Sequence, residues 1–143
     1  MKIKKRTYTN PKTNKLYLWW GMKQVQFGKI GINVRIDKNI FFSNAKNIYI
    51  GNDVFIAQQT YFEAASEIHI GNGVMIGPRC MFVAGTHRFE GMELRAIPYD
   101  NVIKNRPIII EDNVWIAANV IISPGTHIGE GSIIGAGANV YGD

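Results

Sequence analysis

Three histidines and one cysteine are the side chains of this chain best suited to chemistry near neutral pH: His69, His87, His127 and Cys80. An imidazole of ordinary pKa changes its charge near pH 7, so it can take a proton from a hydroxyl and later return it. A thiol becomes a nucleophile only where its thiolate is favoured. His87 stands in "FVAGTHRFEG", Phe82 to Gly91, and the basic residues Arg88, Arg95, Lys104 and Arg106 follow it. Taken alone, a histidine in a polar loop is a surface residue. The surrounding pattern reverses that reading.

The elements that would position His87 are visible as a repeat. "NIYIGNDVFIA", "EIHIGNGVMIG" and "PIIIEDNVWIA" share an Ile, then a small or acidic residue, then a Val four positions after the Ile. Ile30, Ile50 and Ile70 are spaced by 20, as are Ile36, Ile56 and Ile76, and Phe42, Phe62 and Phe82, so each unit divides as 6, 6 and 8. Later the count runs in plain sixes through Ile110, Ile116, Ile122, Ile128, Ile134 and Val140. A period of six matches neither an amphipathic helix nor an alternating strand. Three such tiles per turn predict a triangular coil of short strands, with the large aliphatic residue inside and a compact one, such as Val34, Val54, Val74, Thr60, Cys80, Val114, Val120, Ser132 or Ala138, beside it. Stacked coils bury one another's faces. In that register Cys80 is a packed thiol and not a nucleophile.

Between Phe82 and Ile110 the step is 28 positions where 8 would do, so an excursion over residues 83–107 leaves the prism and returns. Long loops on rigid scaffolds carry function disproportionately. Residues 1–29 lie outside the tiling and are expected to form an arm and a cap over the first coil. In that reading "KLYLWWGMKQVQF" supplies the cap, and Trp19 and Trp20 supply cap or subunit contacts.

The remaining bulk properties narrow the class. With 143 residues the chain has the length of one domain, and its lone cysteine excludes an internal disulfide. No apolar run approaches the roughly 20 residues of a membrane span, and the basic start "MKIKKRTYTNPK" has no apolar segment behind it, so no signal peptide is expected. A cytoplasmic enzyme fits best. The net charge of +5 owes much to the N-terminal lysines, and no nucleic-acid recognition motif accompanies it.

The tile [Ile/Val]-[Gly/Ala/acidic]-x-x-[small]-x resembles the hexapeptide-repeat acyltransferases over Ile30 to Val140. "GTHRFEG" and "PIIIEDNVWIAANVIISPGTHIGEGSIIGAGANV" are similar to the sugar and surface-polysaccharide O-acetyltransferases among them. The resemblance implies an all-β fold, a left-handed parallel β-helix of about five triangular coils, over residues 30–143. The left hand comes from the family, since parallel crossovers are ordinarily right-handed. It further implies acetyl-CoA as co-substrate, no metal, and a sugar or polysaccharide-precursor acceptor in capsule, lipopolysaccharide or O-antigen synthesis. A homotrimer with sites at its seams is also implied.

Residue by residue, the resemblance makes His87 the general base that activates the acceptor hydroxyl. Trp115 is the outward aromatic beside the pantetheine arm, and Ala117, Ala118 and Ala136 are the small positions along which that arm runs. Galactoside-type relatives hold the acceptor with an Asn where this chain has Ala57, which leaves Gln58, Glu63 and Arg88 as acceptor-binding candidates. Relatives also continue past the equivalent of "NVYGD" into a Pro-rich turn and a basic tail that helps hold the nucleotide of CoA. Glu67 is expected in the outward column one coil before His87, and His127 one coil after it. Two other readings share the architecture. One is a β-helix scaffold or sugar-binding surface without catalysis. The other is a γ-type carbonic anhydrase, whose paired histidines five residues apart have no counterpart among His69, His87 and His127.

Overall fold

The computed structural model describes residues 24–87, 102–103 and 106–143, together with short strands at Tyr8–Asn10 and Lys15–Tyr17. The positions of Trp19, Trp20, Arg88, Arg95 and Lys104 lie outside the described residues.

Three five-stranded parallel sheets form the sides of a prism. The first side stacks Lys29–Ile30, Ile48–Ile50, Ile68–Ile70, Ile108–Ile110 and His127–Ile128. The second stacks Arg35–Ile36, Phe55–Ile56, Met75–Ile76, Trp115–Ile116 and Ile133–Ile134. The third stacks Phe41–Ser43, Tyr61–Glu63, Met81–Val83, Ile121–Ile122 and Asn139–Val140. Each strand pairs in register with the one a full turn away, so Ile30 lies on Ile50, Ile50 on Ile70 and Ile70 on Ile110. The result is the left-handed parallel β-helix of five coils that the repeat and its resemblance imply.

The core follows from the tile. The inward residue of each tile is buried from Ile30 to Ile128 except Phe42 at the open end, which is partly buried, and the compact partners Val34, Val54, Thr60, Val74, Cys80, Val114 and Val120 are buried with them. Each fully buried Ile or Phe contributes about 1.5–3 kcal/mol by leaving water. On the third side Phe42, Phe62 and Phe82 stack nearly flat, at centroid separations of 5.2 and 4.6 Å. Phe27 closes the first coil by meeting Phe42 edge-on at 5.1 Å, just after the antiparallel strand Gln24–Gln26. An aromatic plug is what the open end of a solenoid needs.

Two features go beyond the hexapeptide count. Ile48, Ile68 and Ile108 are buried as a second inward column on the first side. Thr126 continues this column in the last coil, so the two additional residues of the earlier coils sit in the corner before it, where the first coil has a left-handed Asn44 and a 3-10 turn at Ala45–Asn47. At the corners, a left-handed backbone recurs at Asn33, Asp53, Gly73 and Asn113, and at Gln59, Arg79, Asn119 and Gly137. Asn, Asp and Gly reach that region at least cost, which is why they punctuate the tiles. Polar side chains then rung the first corner: Asn52 Oδ1 accepts from Ile32 N at 3.0 Å, Asn72 Oδ1 from Asn52 N at 2.9 Å, and Asp112 Oδ1 from Asn72 N at 2.7 Å. Gly77 is required by close approach, since a Cβ there would stand 2.7 Å from the carbonyl carbon of Ala117.

Candidate active site

The excursion that carries His87 is anchored at both of its stems. Val83 pairs in register with Glu63, and Ala84 N donates to Glu63 O at 2.8 Å, so both still belong to the third coil. The chain rejoins the prism at Arg106, whose carbonyl accepts from Gly125 N at 3.1 Å, and Ile108 N donates to Glu67 O at 3.0 Å. The departure therefore spans 85–105, slightly inside the expected 83–107. In the preceding coil the single residue Ala65 occupies that interval. Thr86–His87 pairs antiparallel with Val102–Ile103, His87 opposite Val102, so the excursion begins as a hairpin. His87 is exposed, as a base that must reach a substrate has to be.

The positions expected to hold the coenzyme gather at a different corner. Trp115 is the fourth residue of the outward column Arg35, Phe55, Met75, Trp115, Ile133 on the second side and is 48% exposed. Ala117 and Ala118, half-buried, and Ala136, exposed, follow at the turn into the third side. Gly137 N donates to Ala118 O at 2.9 Å, so Ala118 and Ala136 occupy equivalent places in successive coils. Gly77 lies below Ala117 and Pro78 below Ala118, and beside them Arg79 Nε donates to Asn119 Oδ1 at 2.9 Å. Gln58 occupies the same corner two coils earlier, exposed, its carbonyl accepting from Arg79 N at 3.1 Å. Glu63 is half-buried at the end of the third side, near the corner from which the His87 hairpin leaves. Arg88 lies outside the described residues.

Within one chain, then, His87 and Glu63 stand at one corner, while Trp115, Ala117, Ala118, Ala136 and Gln58 stand at the corner before it. The third side separates the two groups. Its outward column, Phe41, Tyr61, Met81 and Ile121, is an exposed apolar stripe.

Two expected neighbours of His87 belong elsewhere. Glu67 turns to the first side, where its carboxylate lies 2.8 Å from His69 Nε2 and accepts from Tyr49 OH at 3.4 Å. Tyr49 and His69 stack at 4.7 Å. His127 is not in the column of His87 either. It continues the first-side column Lys29, Tyr49, His69, Ile109, because coils after the excursion advance by 18 residues and not 20. His127 Nε2 lies 2.8 Å from Glu111 Oε1, and Glu130 N donates to Glu111 Oε2 at 2.8 Å. The His127 contact, then the Glu130 amide, holds the Glu111 carboxyl below its usual pKa. The Asn72 backbone N–H does the same for Asp112.

Cys80 is the packed thiol the register predicts. It is buried, its Sγ donates to Ala117 O at 3.0 Å, and burial raises its pKa. Among the described residues no group of three or more His, Cys, Asp or Glu side chains could hold a metal ion. No helix among them is long and apolar enough to cross a membrane. Sequence reasoning passed over Ser66, which hydrogen-bonds both stems of the excursion. Its one signal is a small polar residue two places before Ile68, where the stem regains the coil.

The bacterial transferase hexapeptide (six repeats) family model matches residues 107–142. The galactoside O-acetyltransferase of Escherichia coli is 32% identical over 117 residues, 82% of this chain and 56% of that relative. A solved hexapeptide-repeat acetyltransferase of Vibrio cholerae, complexed with acetyl coenzyme A, superposes with a TM-score of 0.75 at 32% identity, covering 82% of this chain and 62% of that one. A maltose O-acetyltransferase from Clostridium difficile gives a TM-score of 0.74 at 33% identity, covering 82% and 60%. The chain thus spans less than two thirds of the length of each of these relatives. By its repeat, its stacked coils and these likenesses, the chain carries the bacterial transferase hexapeptide repeat and is similar to the hexapeptide-repeat acetyltransferases over most of its own length.

Proposed function

We propose that this chain is an acetyl-CoA-dependent O-acetyltransferase acting on a sugar hydroxyl, by direct transfer with His87 as general base. The observation that carries the reading is the placement of His87. It is an exposed imidazole on a hairpin that leaves a rigid prism at one corner, while Gly77, Ala117, Ala118 and Ala136 lie at the corner before it. The likeness to a Vibrio cholerae acetyltransferase complexed with acetyl coenzyme A supports the donor, and likeness to galactoside and maltose O-acetyltransferases supports a sugar acceptor. A surface-polysaccharide precursor is the acceptor class we favour, from the "HRF" that follows the third coil.

In this reading neutral His87 accepts the proton of the acceptor hydroxyl as its oxygen attacks the thioester carbonyl. The tetrahedral adduct collapses by breaking the carbon–sulfur bond, and the imidazolium returns its proton to the departing thiolate, leaving acetyl ester and CoA. A backbone N–H near the carbonyl would stabilise the oxyanion. Trp115 flanks the pantetheine arm, Ala117, Ala118 and Ala136 let it lie against the backbone, and Gln58, Glu63 and Arg88 contact the acceptor.

Because one chain keeps His87 a whole side away from Trp115 and the alanine edge, we assign the complete site to a seam between copies in a homotrimer. An acetyl-CoA donor places the reaction in the cytoplasm. Thiol release from acetyl-CoA, measured against nucleotide sugars, oligosaccharides, a methyl galactoside and maltose, tests the reading. Turnover with at least one sugar is expected. Failure to bind acetyl-CoA by calorimetry, with no turnover, would return the chain to the scaffold class.

A further inference from the structure

We propose that Ser66 is a positioning residue for His87, the clasp that joins the two stems of the excursion. The inference rests on the reading of His87 as the base. Ser66 is 5% exposed, although it lies directly beneath the point where the chain leaves the prism. Its backbone N–H donates to Ala84 O at 2.8 Å, on the outgoing stem, and its Oγ accepts from Arg106 N at 2.9 Å, on the returning one. One residue therefore fixes the end of the stem that runs straight into Thr86–His87 and the start of the coil that resumes after the excursion.

The support beneath Ser66 is also built. Asn47 Nδ2 donates to Ala64 O at 2.9 Å, and Ala64 itself is buried and bonded through its N–H to Ser43 O at 3.3 Å. The segment 64–67 is thus held from below by the first coil and holds the excursion above. Between Ala84 and Arg106 the chain has 21 residues where the preceding coil has one, so stem separation is not set by covalent length. It is set by the bonds that seat each stem on the prism, Ala84 N–H to Glu63 O, Gly125 N–H to Arg106 O and Ile108 N–H to Glu67 O, by the pairing of Thr86–His87 with Val102–Ile103, and by Ser66, which bonds both stems. A buried hydroxyl whose only described partner is the main chain of a distant segment serves geometry. General-base catalysis depends on that geometry, since a misplacement of about 1 Å costs on the order of 100-fold.

Only the side-chain half of the clasp can be removed by substitution. Ser66→Ala deletes the acceptor for Arg106 N–H and keeps the bond to Ala84 O, while Ser66→Thr restores an acceptor. The double variant Ser66→Ala/His87→Ala asks whether Ser66 acts through His87. With acetyl-CoA and whichever of the methyl galactoside or maltose turns over, Ser66→Ala should lower kcat about 10- to 100-fold, with the KM for acetyl-CoA within about twofold. Ser66→Thr should recover most of the loss, and the double variant should be no slower than His87→Ala alone. Should Ser66→Ala fail to fold, Arg106→Pro removes the donor of the same bond and is expected to give the same split between kcat and KM.

Wild-type kcat in Ser66→Ala, with His87→Ala inactive, would overturn the clasp and leave the base intact. Additive losses in the double variant would likewise overturn it, because Ser66 would then act elsewhere. An active His87→Ala would instead remove the reading on which the clasp rests.

Discussion

Phe62 lies face to face with Phe82, ring centroids 4.6 Å apart and planes 16° from parallel, and both rings are buried. On its other face Phe62 meets Phe42 at 5.2 Å. Phe62→Ala therefore removes the middle of a three-ring column in a core that cannot collapse, because each neighbour is held by its own sheet ladder. The expected cost is about 3–5 kcal/mol, seen as a large fall in Tm. An unchanged Tm would mean that the third side does not pack in this register.

The acid limb of stability should depend on the first side. Glu111 and Asp112 have folded pKa values lowered from 4.5 and 3.8, by His127 and by the Asn72 N–H respectively. A lowered folded pKa gives stability that is complete above the unfolded value and is lost as pH falls through the folded one. The loss therefore starts near pH 4.5 and continues below pH 3.8. Glu111→Gln and Asp112→Asn should each lower Tm slightly at pH 7, flatten its decline with acid below pH 4.5, and converge on wild type at the acid end. An unaltered acid decline in both variants would contradict the assignment.

Cys80 should be inert in the native state. Its burial and its contact with Ala117 O leave no route for a reagent, and the raised pKa keeps the thiol protonated. A thiol-reactive dye should label it only after denaturation, and Cys80→Ala should retain activity. Rapid labelling of the folded protein would place Cys80 outside the core.

The prism's apolar stripes predict its assembly. Met75, Trp115 and Ile133 on the second side, and Phe41, Tyr61, Met81 and Ile121 on the third, are exposed large apolar residues in continuous columns. Such patches mark interfaces, and a threefold assembly would bring the hairpin of one copy to the alanine edge of the next. Light scattering at micromolar concentration should give three times the chain mass. A monomeric mass with full activity would contradict a site shared between copies.

The repeat made most of this fold readable in advance. Six-residue spacing of Ile with a compact partner leaves one geometry in which every large side chain is inside, so the three sides, the Phe column and the buried Cys80 followed from counting. Ile48, Ile68 and Ile108 escaped it because the additional residues displace the second inward position, which lies two before Ile50, Ile70 and Ile110, whereas counting four on from Phe42 lands on exposed Lys46. Glu67 and His127 were misplaced for a related reason. A column is defined by ladder pairing: the excursion takes His87 off the prism, so the residue after Glu67 in its column is Pro107, and the change from 20 to 18 residues per coil sets His127 on Ile109. The Ser66 clasp depends on which backbone groups meet across 40 residues, which no local spacing encodes.

The central claim is that the chain interrupts its repeat to place a base. His87→Ala and His127→Ala, assayed for acetyl-CoA thiol release with the best sugar acceptor, test it most directly. His87 projects from a hairpin, whereas His127 lies 2.8 Å from Glu111 on another side. His87→Ala should lose about 10²- to 10⁴-fold in kcat, with acetyl-CoA affinity and Tm close to wild type, and His127→Ala should keep most of its activity. Retention of more than about a tenth of wild-type turnover by His87→Ala, or equal damage from His127→Ala, would contradict the mechanism.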